Sequence, residues 1–205
     1  MTKTSIYLCL GALAAGLAAA QTAQADPTPM EVRALLHKDF HAQGQATMSR
    51  VDQDDLQWLC TVSHNKPSHN RVKQMEAEQH ATIVYPADGK YMGDWKKGQK
   101  IAESGKGMTW KDKPGAENGG SCYNCHQLSP KEASYGTVGP SLTAMGKKRG
   151  DGIEVQKYIY GKIYNSKASN LCSEMPRFGT SHTLTEEQIK DLTAYLLDPA
   201  SPVNQ

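Results

Sequence analysis

Hydrophobic residues fall along this chain in two regimes. Over Ser5–Ala20 they form one apolar run, "SIYLCLGALAAGLAAA", whereas from Asp26 onward they return among polar positions. Spacings of three and four residues put such side chains on one face of a helix. In "PTPMEVRALLHKDF", Val32, Leu35, Leu36 and Phe40 share a side, Thr28 offers a capping oxygen and Pro29 suits the first turn, so a short amphipathic helix is predicted. A second helix is predicted from about Asn70 to Thr82, ahead of Pro86 and the Asp88-Gly89 turn. A third runs from about Asp94 to Ser104 and is stopped by Gly105 and Gly107; a fourth runs from about Ile153 to Asn165. The last opens at "LTEEQ", where Thr185 and Gln188 make a capping box, carries Ile189, Leu192, Tyr195 and Leu196 as a core-packing stripe, and ends before Pro199. Every predicted element is a helix, so the fold class is all-α.

The first apolar run bears on compartment. Lys3 precedes it and the small-residue signature "AQA" at Ala23–Ala25 follows, the pattern of a secretory signal peptide cleaved after Ala25. The run is short for a bilayer-spanning helix of about 20 residues, and no later stretch is long enough to cross a membrane. The chain therefore divides into a signal peptide (1–25), a polar and partly helical N-terminal extension (26–91) and a helical domain (92–205). The extension holds five of the seven histidines. The formal charge of +2 falls to +1 without Lys3, and the basic residues are scattered among acids, so nothing points to nucleic acid.

Candidate chemistry is concentrated in "GGSCYNCHQL", Gly119–Leu128. A zinc knuckle needs four tetrahedral ligands, usually from two separated pairs, and here a single pair stands beside His126. A thioredoxin-type dithiol needs alternating strands and helices around its C-x-x-C, and none surround this one. A covalently held haem uses every residue: Cys122 and Cys125 form two thioethers and His126 becomes the proximal iron ligand. One haem c is thus expected.

For the opposite side of the iron the candidates are Met175, Met145, His182 or an open site. Met145 lies 19 residues beyond His126 and Met175 lies 49 beyond it, the latter in a loop between two helices where Pro176 disfavours helix at the ligand. Met175 is the expected ligand. In "VGPSL" the Gly139-Pro140 turn is suited to offer a backbone carbonyl to the free imidazole N–H of His126. With Cys122 and Cys125 occupied, Cys60 and Cys172 remain as a natural disulfide pair in an oxidising compartment; two buried free thiols, or a bond to a partner, are the alternatives.

The order of a helix, C-x-x-C-H, Gly-Pro-x-Leu, Met-Pro loop and C-terminal helix resembles the class I cytochromes c. More narrowly, "CYNCHQL", "YGTVGPSL", "NLCSEMPRFG" and "LTEEQIKDLTAYLLDPASPVN" are similar to the SoxX family, the monohaem subunits of SoxAX complexes. That resemblance covers Gly119–Asn204 best. It implies a class I cytochrome c fold with an N-terminal extension and a place in periplasmic thiosulfate oxidation. In that family the complex couples thiosulfate to a cysteine of the carrier SoxYZ. The catalytic haem belongs to the partner SoxA, and the SoxX haem accepts electrons and passes them to a small soluble cytochrome c. Catalysis on this chain alone is not expected, because a His and Met pair leaves iron no open position. A free-standing periplasmic electron carrier is the alternative. The loop Gly105–Gly120 is longer than in minimal cytochromes.

Overall fold

Two helices at opposite ends of the main domain touch backbone to backbone. In the computed structural model, which describes residues 26–205, they are Trp95–Glu103 and Glu186–Leu197. In chain order the helices are α1 (Pro29–Asp39), α2 (Asp55–Val62), α3 (His69–Ala81), α4 (Trp95–Glu103), α5 (Met145–Arg149), α6 (Ile153–Tyr164) and α7 (Glu186–Leu197). Among the described residues there is no strand, only an isolated bridge between Gln43 and Ala46. The expected signal peptide, residues 1–25, lies outside the described residues.

Local chemistry accounts for most helix boundaries. Thr28 and Glu31 form a capping box at α1, Asp54 and Gln57 one at α2, and Thr185 and Gln188 one at α7. Asp94 caps α4, so the helix begins one residue later than its predicted start. The crossing of α4 on α7 depends on Gly98: a Cβ there would lie 2.0 Å from the carbonyl oxygen of Asp191. Only a hydrogen at that position lets the two backbones meet. The Asp191 carboxylate accepts a hydrogen bond from the Asp94 backbone N–H at 2.7 Å, fixing where α4 starts.

Around this crossing lies the main core, with Ile101, Ala102, Leu128, Tyr160, Ile163, Ile189, Leu192, Tyr195 and Leu197 buried. Tyr160 is fully buried and donates to the Val84 carbonyl, which ties the segment ahead of α4 to α6. A second, smaller core joins α2 and α3 to the loop after α6: Leu56, Cys60 and Met75 pack against Leu171. The Cys60–Cys172 disulfide closes this unit across 112 residues of sequence. In the chain-entropy model such a closure is worth about 4–5 kcal/mol.

The remainder of the extension is held differently. Gln45 Nε2 donates to the Thr109 carbonyl at 2.9 Å and Arg50 to those of Gln45 and Met108, pinning residues 45–50 onto the long Gly105–Gly120 loop. The α1 helix is joined to Asp52 by Arg33 and His37, yet none of its residues is buried. Val32, Leu35 and Phe40, predicted as the packing side of an amphipathic helix, are exposed, as is Met30. The period is present, but among the described residues only Leu36 of that side is partly covered.

Candidate functional site

Residues 121–126 are folded so tightly that Cys122, Cys125 and His126 share one turn. Cys122–Asn124 form a 3-10 turn, and the His126 N–H donates to the Cys122 carbonyl at 2.9 Å. The chain then returns over this turn: Gly136 N–H donates to Tyr123 and Gly139 N–H to Cys125, both at 2.8 Å. A Cβ on Gly136 would stand 1.8 Å from the Asn124 carbonyl oxygen, and one on Gly139 would stand 2.2 Å from His126 Cε1. The imidazole therefore lies flat against a glycine backbone, and its Nδ1 is 2.7 Å from the Pro140 carbonyl oxygen. With Nδ1–H donating to that carbonyl, Nε2 carries the free lone pair and is the atom able to bind a metal.

That ring faces an apolar cleft that is partly open to solvent. Cys122 and His126 line one side and Met175 and Phe178 also border it; Ala102 of α4, Ile163 of α6, and Leu192, Tyr195 and Leu196 of α7 complete the wall. Burial pushes the Cys122 thiol up to about 12, so a thiolate is strongly disfavoured there. A neutral thioether meets no such penalty. Cys125 is half-buried in the same turn and is not disulfide-bonded. Desolvation likewise raises Tyr195 well above the ordinary phenol value, consistent with a dry wall.

The other candidates stand apart from the cleft. Met145, the first residue of α5, is partly buried against the main core and does not line the cleft. His182 is exposed, with a left-handed φ of 54°. Met175 is held through its backbone: its N–H donates to Ser173 Oγ at 3.2 Å and its carbonyl accepts from Ser166 Oγ at 2.5 Å.

Residues 95–198, about half of the chain, match the family model described as Cytochrome c. The chain belongs to the cytochrome c family. It is similar to an "uncharacterized lipoprotein" of Aquifex aeolicus (strain VF5), 43% identical over 135 residues, which are 65% of this chain and 64% of that protein. The similarity thus spans less than two-thirds of the relative's length. Family membership implies covalently held haem c and electron transfer, and the residues present fit the group. The cleft is apolar, with the paired-cysteine turn at its edge and a tautomer-fixed imidazole facing it. Bound haem c supplies a one-electron iron couple.

Two features of the site escaped the sequence reading. The glycine under His126 was legible only as half of a Gly-Pro turn; its real constraint is the ring stacked on it. The Arg177–Asp54 ion pair, which joins the Met175 loop to α2, had no local signal at all, its partners being 123 residues apart.

Proposed function

We propose that this chain is an exported, periplasmic monohaem cytochrome c that serves as the electron-accepting subunit of a thiosulfate-oxidising complex of the SoxAX type. Cys122 and Cys125 are its thioether anchors, His126 and Met175 its axial ligands, and Pro140 the carbonyl that orients His126. The observation carrying the electron-transfer part is that His126 and Met175 line one apolar cleft. A ligand pair that is already in place on both sides changes little between oxidation states, and it blocks substrate from the iron. The chain's own residues then act by excluding water, holding the imidazole proton on Nδ1 and presenting sulfur from the Met175 loop. The Aquifex relative is named a lipoprotein, which supports export. Among the described residues no helix is long and apolar enough to cross a membrane.

The Met175→Leu variant keeps side-chain volume and removes the sulfur. It should lose the far-red sulfur-to-iron charge-transfer band, and its reduction potential should fall by on the order of 0.1 V, a fraction of the roughly 0.8 V spanned by axial ligation. Met145→Leu should retain both properties. A band that disappears in Met145→Leu instead would reverse the ligand assignment.

The narrower reading, a subunit rather than a shuttle, is supported by the likeness to SoxX in the four motifs and by the uncovered side of α1. Partners on this reading are a SoxA-like cytochrome, a SoxYZ-like carrier and a small soluble cytochrome c as acceptor. The free-standing carrier retains one observation in its favour: α2 and α3 spend their apolar residues on this chain's own core. Purification from thiosulfate-grown cells separates the two. A SoxA-like cytochrome should accompany the parent protein, and the double variant Val32→Asp, Leu35→Asp should lose it while keeping an unchanged haem spectrum. A parent protein that elutes alone, at the size of one chain, would favour the carrier.

A further inference from the structure

The Met175 loop is fastened to the N-terminal extension on both sides of the methionine. Three residues before Met175, Cys172 is bonded to Cys60 of α2, and Leu171 is buried against Leu56, Cys60 and Met75. Two residues after it, Arg177 pairs with Asp54 at 2.5 Å, and the same Asp54 side chain caps the start of α2. At the loop's root, fully buried Asn165 donates to Thr82 Oγ1 at 2.8 Å and to Gln79 Oε1 at 3.0 Å, from the end of α3. Each fastening reaches across 80 or more residues to the same short loop. None of them contributes an atom to the lining of the cleft.

We propose that α2 and α3 form a clamp that keeps Met175 seated in the haem cleft, with Asp54 and Arg177 as positioning residues for the distal ligand. The inference rests on the reading of Met175 as that ligand. A loop held at one end only can swing its methionine out as a local opening, at far lower cost than global unfolding. Holding both flanks makes each opening break a second contact at the same moment. The disulfide confines the chain before the methionine and the ion pair confines the chain after it, so the two act on different sides of one hinge. Arg177 is about a quarter exposed and Asp54 less than half exposed, so the pair contributes modestly and the covalent bond dominates.

Imidazole binding to the oxidised, haem-loaded full chain tests this, because an outside ligand can bind iron only as fast as Met175 leaves. Asp54→Asn preserves the helix cap while deleting the charge. It should speed binding about fivefold, with the far-red band largely retained; Arg177→Gln should match it and Arg177→Lys should restore most of the parent rate. Replacing Cys60 and Cys172 by Ala in the Asp54→Asn background should speed binding by about a hundredfold or more and remove the band. A rate within twofold of the parent in that triple variant overturns the clamp. Should the triple variant fail to fold, parent-like rates in both Asp54→Asn and Arg177→Gln overturn the positioning role. The ligand reading fails separately: the parent would then lack the band, or keep it in Met175→Leu, before any clamp variant is compared.

Discussion

Replacing Cys122 and Cys125 together by Ala should change haem retention from complete to none. Acidified acetone unfolds the polypeptide and breaks every non-covalent contact and the axial bonds with it, so only a thioether keeps haem with the protein pellet. The parent should keep its haem through this extraction, Cys125→Ser should keep at most one thioether, and the double variant should release all of it. His126→Ala, with both thioethers intact, should keep haem covalently but lose the normal low-spin spectrum. The effect reaches beyond the cofactor. Walls of α4, α6 and α7 border an apolar cleft that is partly open to solvent, and without haem the side chains lining it lose their packing partner. The double variant should therefore lose near-UV circular dichroism at a temperature where the parent is folded. Haem that stays in its pellet would refute covalent attachment through these cysteines.

Gly98→Val should be the most damaging single substitution away from the haem ligands. Two terms oppose one another. Glycine is a poor residue inside a helix, and replacing it gains up to about 1 kcal/mol of helix propensity, less for a β-branched residue. Against this, the first carbon alone would lie 2.0 Å from the Asp191 carbonyl oxygen and 2.8 Å from Tyr195 Cβ. The obstacle is α7 backbone, not the tip of a flexible side chain, so relief requires moving α4 away from the helix whose Leu192, Tyr195 and Leu196 line the cleft. Overpacking of this kind costs about 1–3 kcal/mol or more, and against the small gain in propensity the clash should win by about 1–3 kcal/mol. For a chain of this size each kcal/mol lowers the melting temperature by about 2–4 °C, so a fall of roughly 2–12 °C is expected by calorimetry. Gly152→Ser is the matching control. No atom lies within 4 Å of a Cβ there, and serine is a good residue at the N-cap of α6, so stability should hold or rise slightly. Equal melting temperatures for Gly98→Val and the parent would mean that α4 and α7 do not cross through this glycine.

How legible each part was depends on the distance over which its cause acts. The helices α3, α4, α6 and α7 were visible because period, cap and stop signals lie within a dozen residues of one another. Thr28 and Thr185 both cap as read. The α2 helix went unread: with eight residues it completes barely two turns, too few for Leu56, Leu59 and Cys60 to establish a stripe. The five-residue α5 gives even less. For α1 the period was read correctly and its packing was not, because a hydrophobic side specifies the wish for a neighbour and not its presence.

By itself, the sequence determined the chemistry that is covalent or nearly contiguous. Two cysteines and a histidine within five residues, on a turn closed by its own backbone, are a pattern legible whatever the remaining chain does. The Gly-Pro turn soon after them, and the elimination that left Cys60 and Cys172 as a pair, are readable for the same reason: few alternatives exist. Tertiary structure alone decided that α2 and α3 grip the loop carrying Met175, that α4 needs a glycine where it meets α7, and that the apolar side of α1 is left largely exposed among the described residues. Those contacts join residues roughly 50 to 120 positions apart, and their geometry follows from the path of every loop between them, which no local pattern of residues specifies.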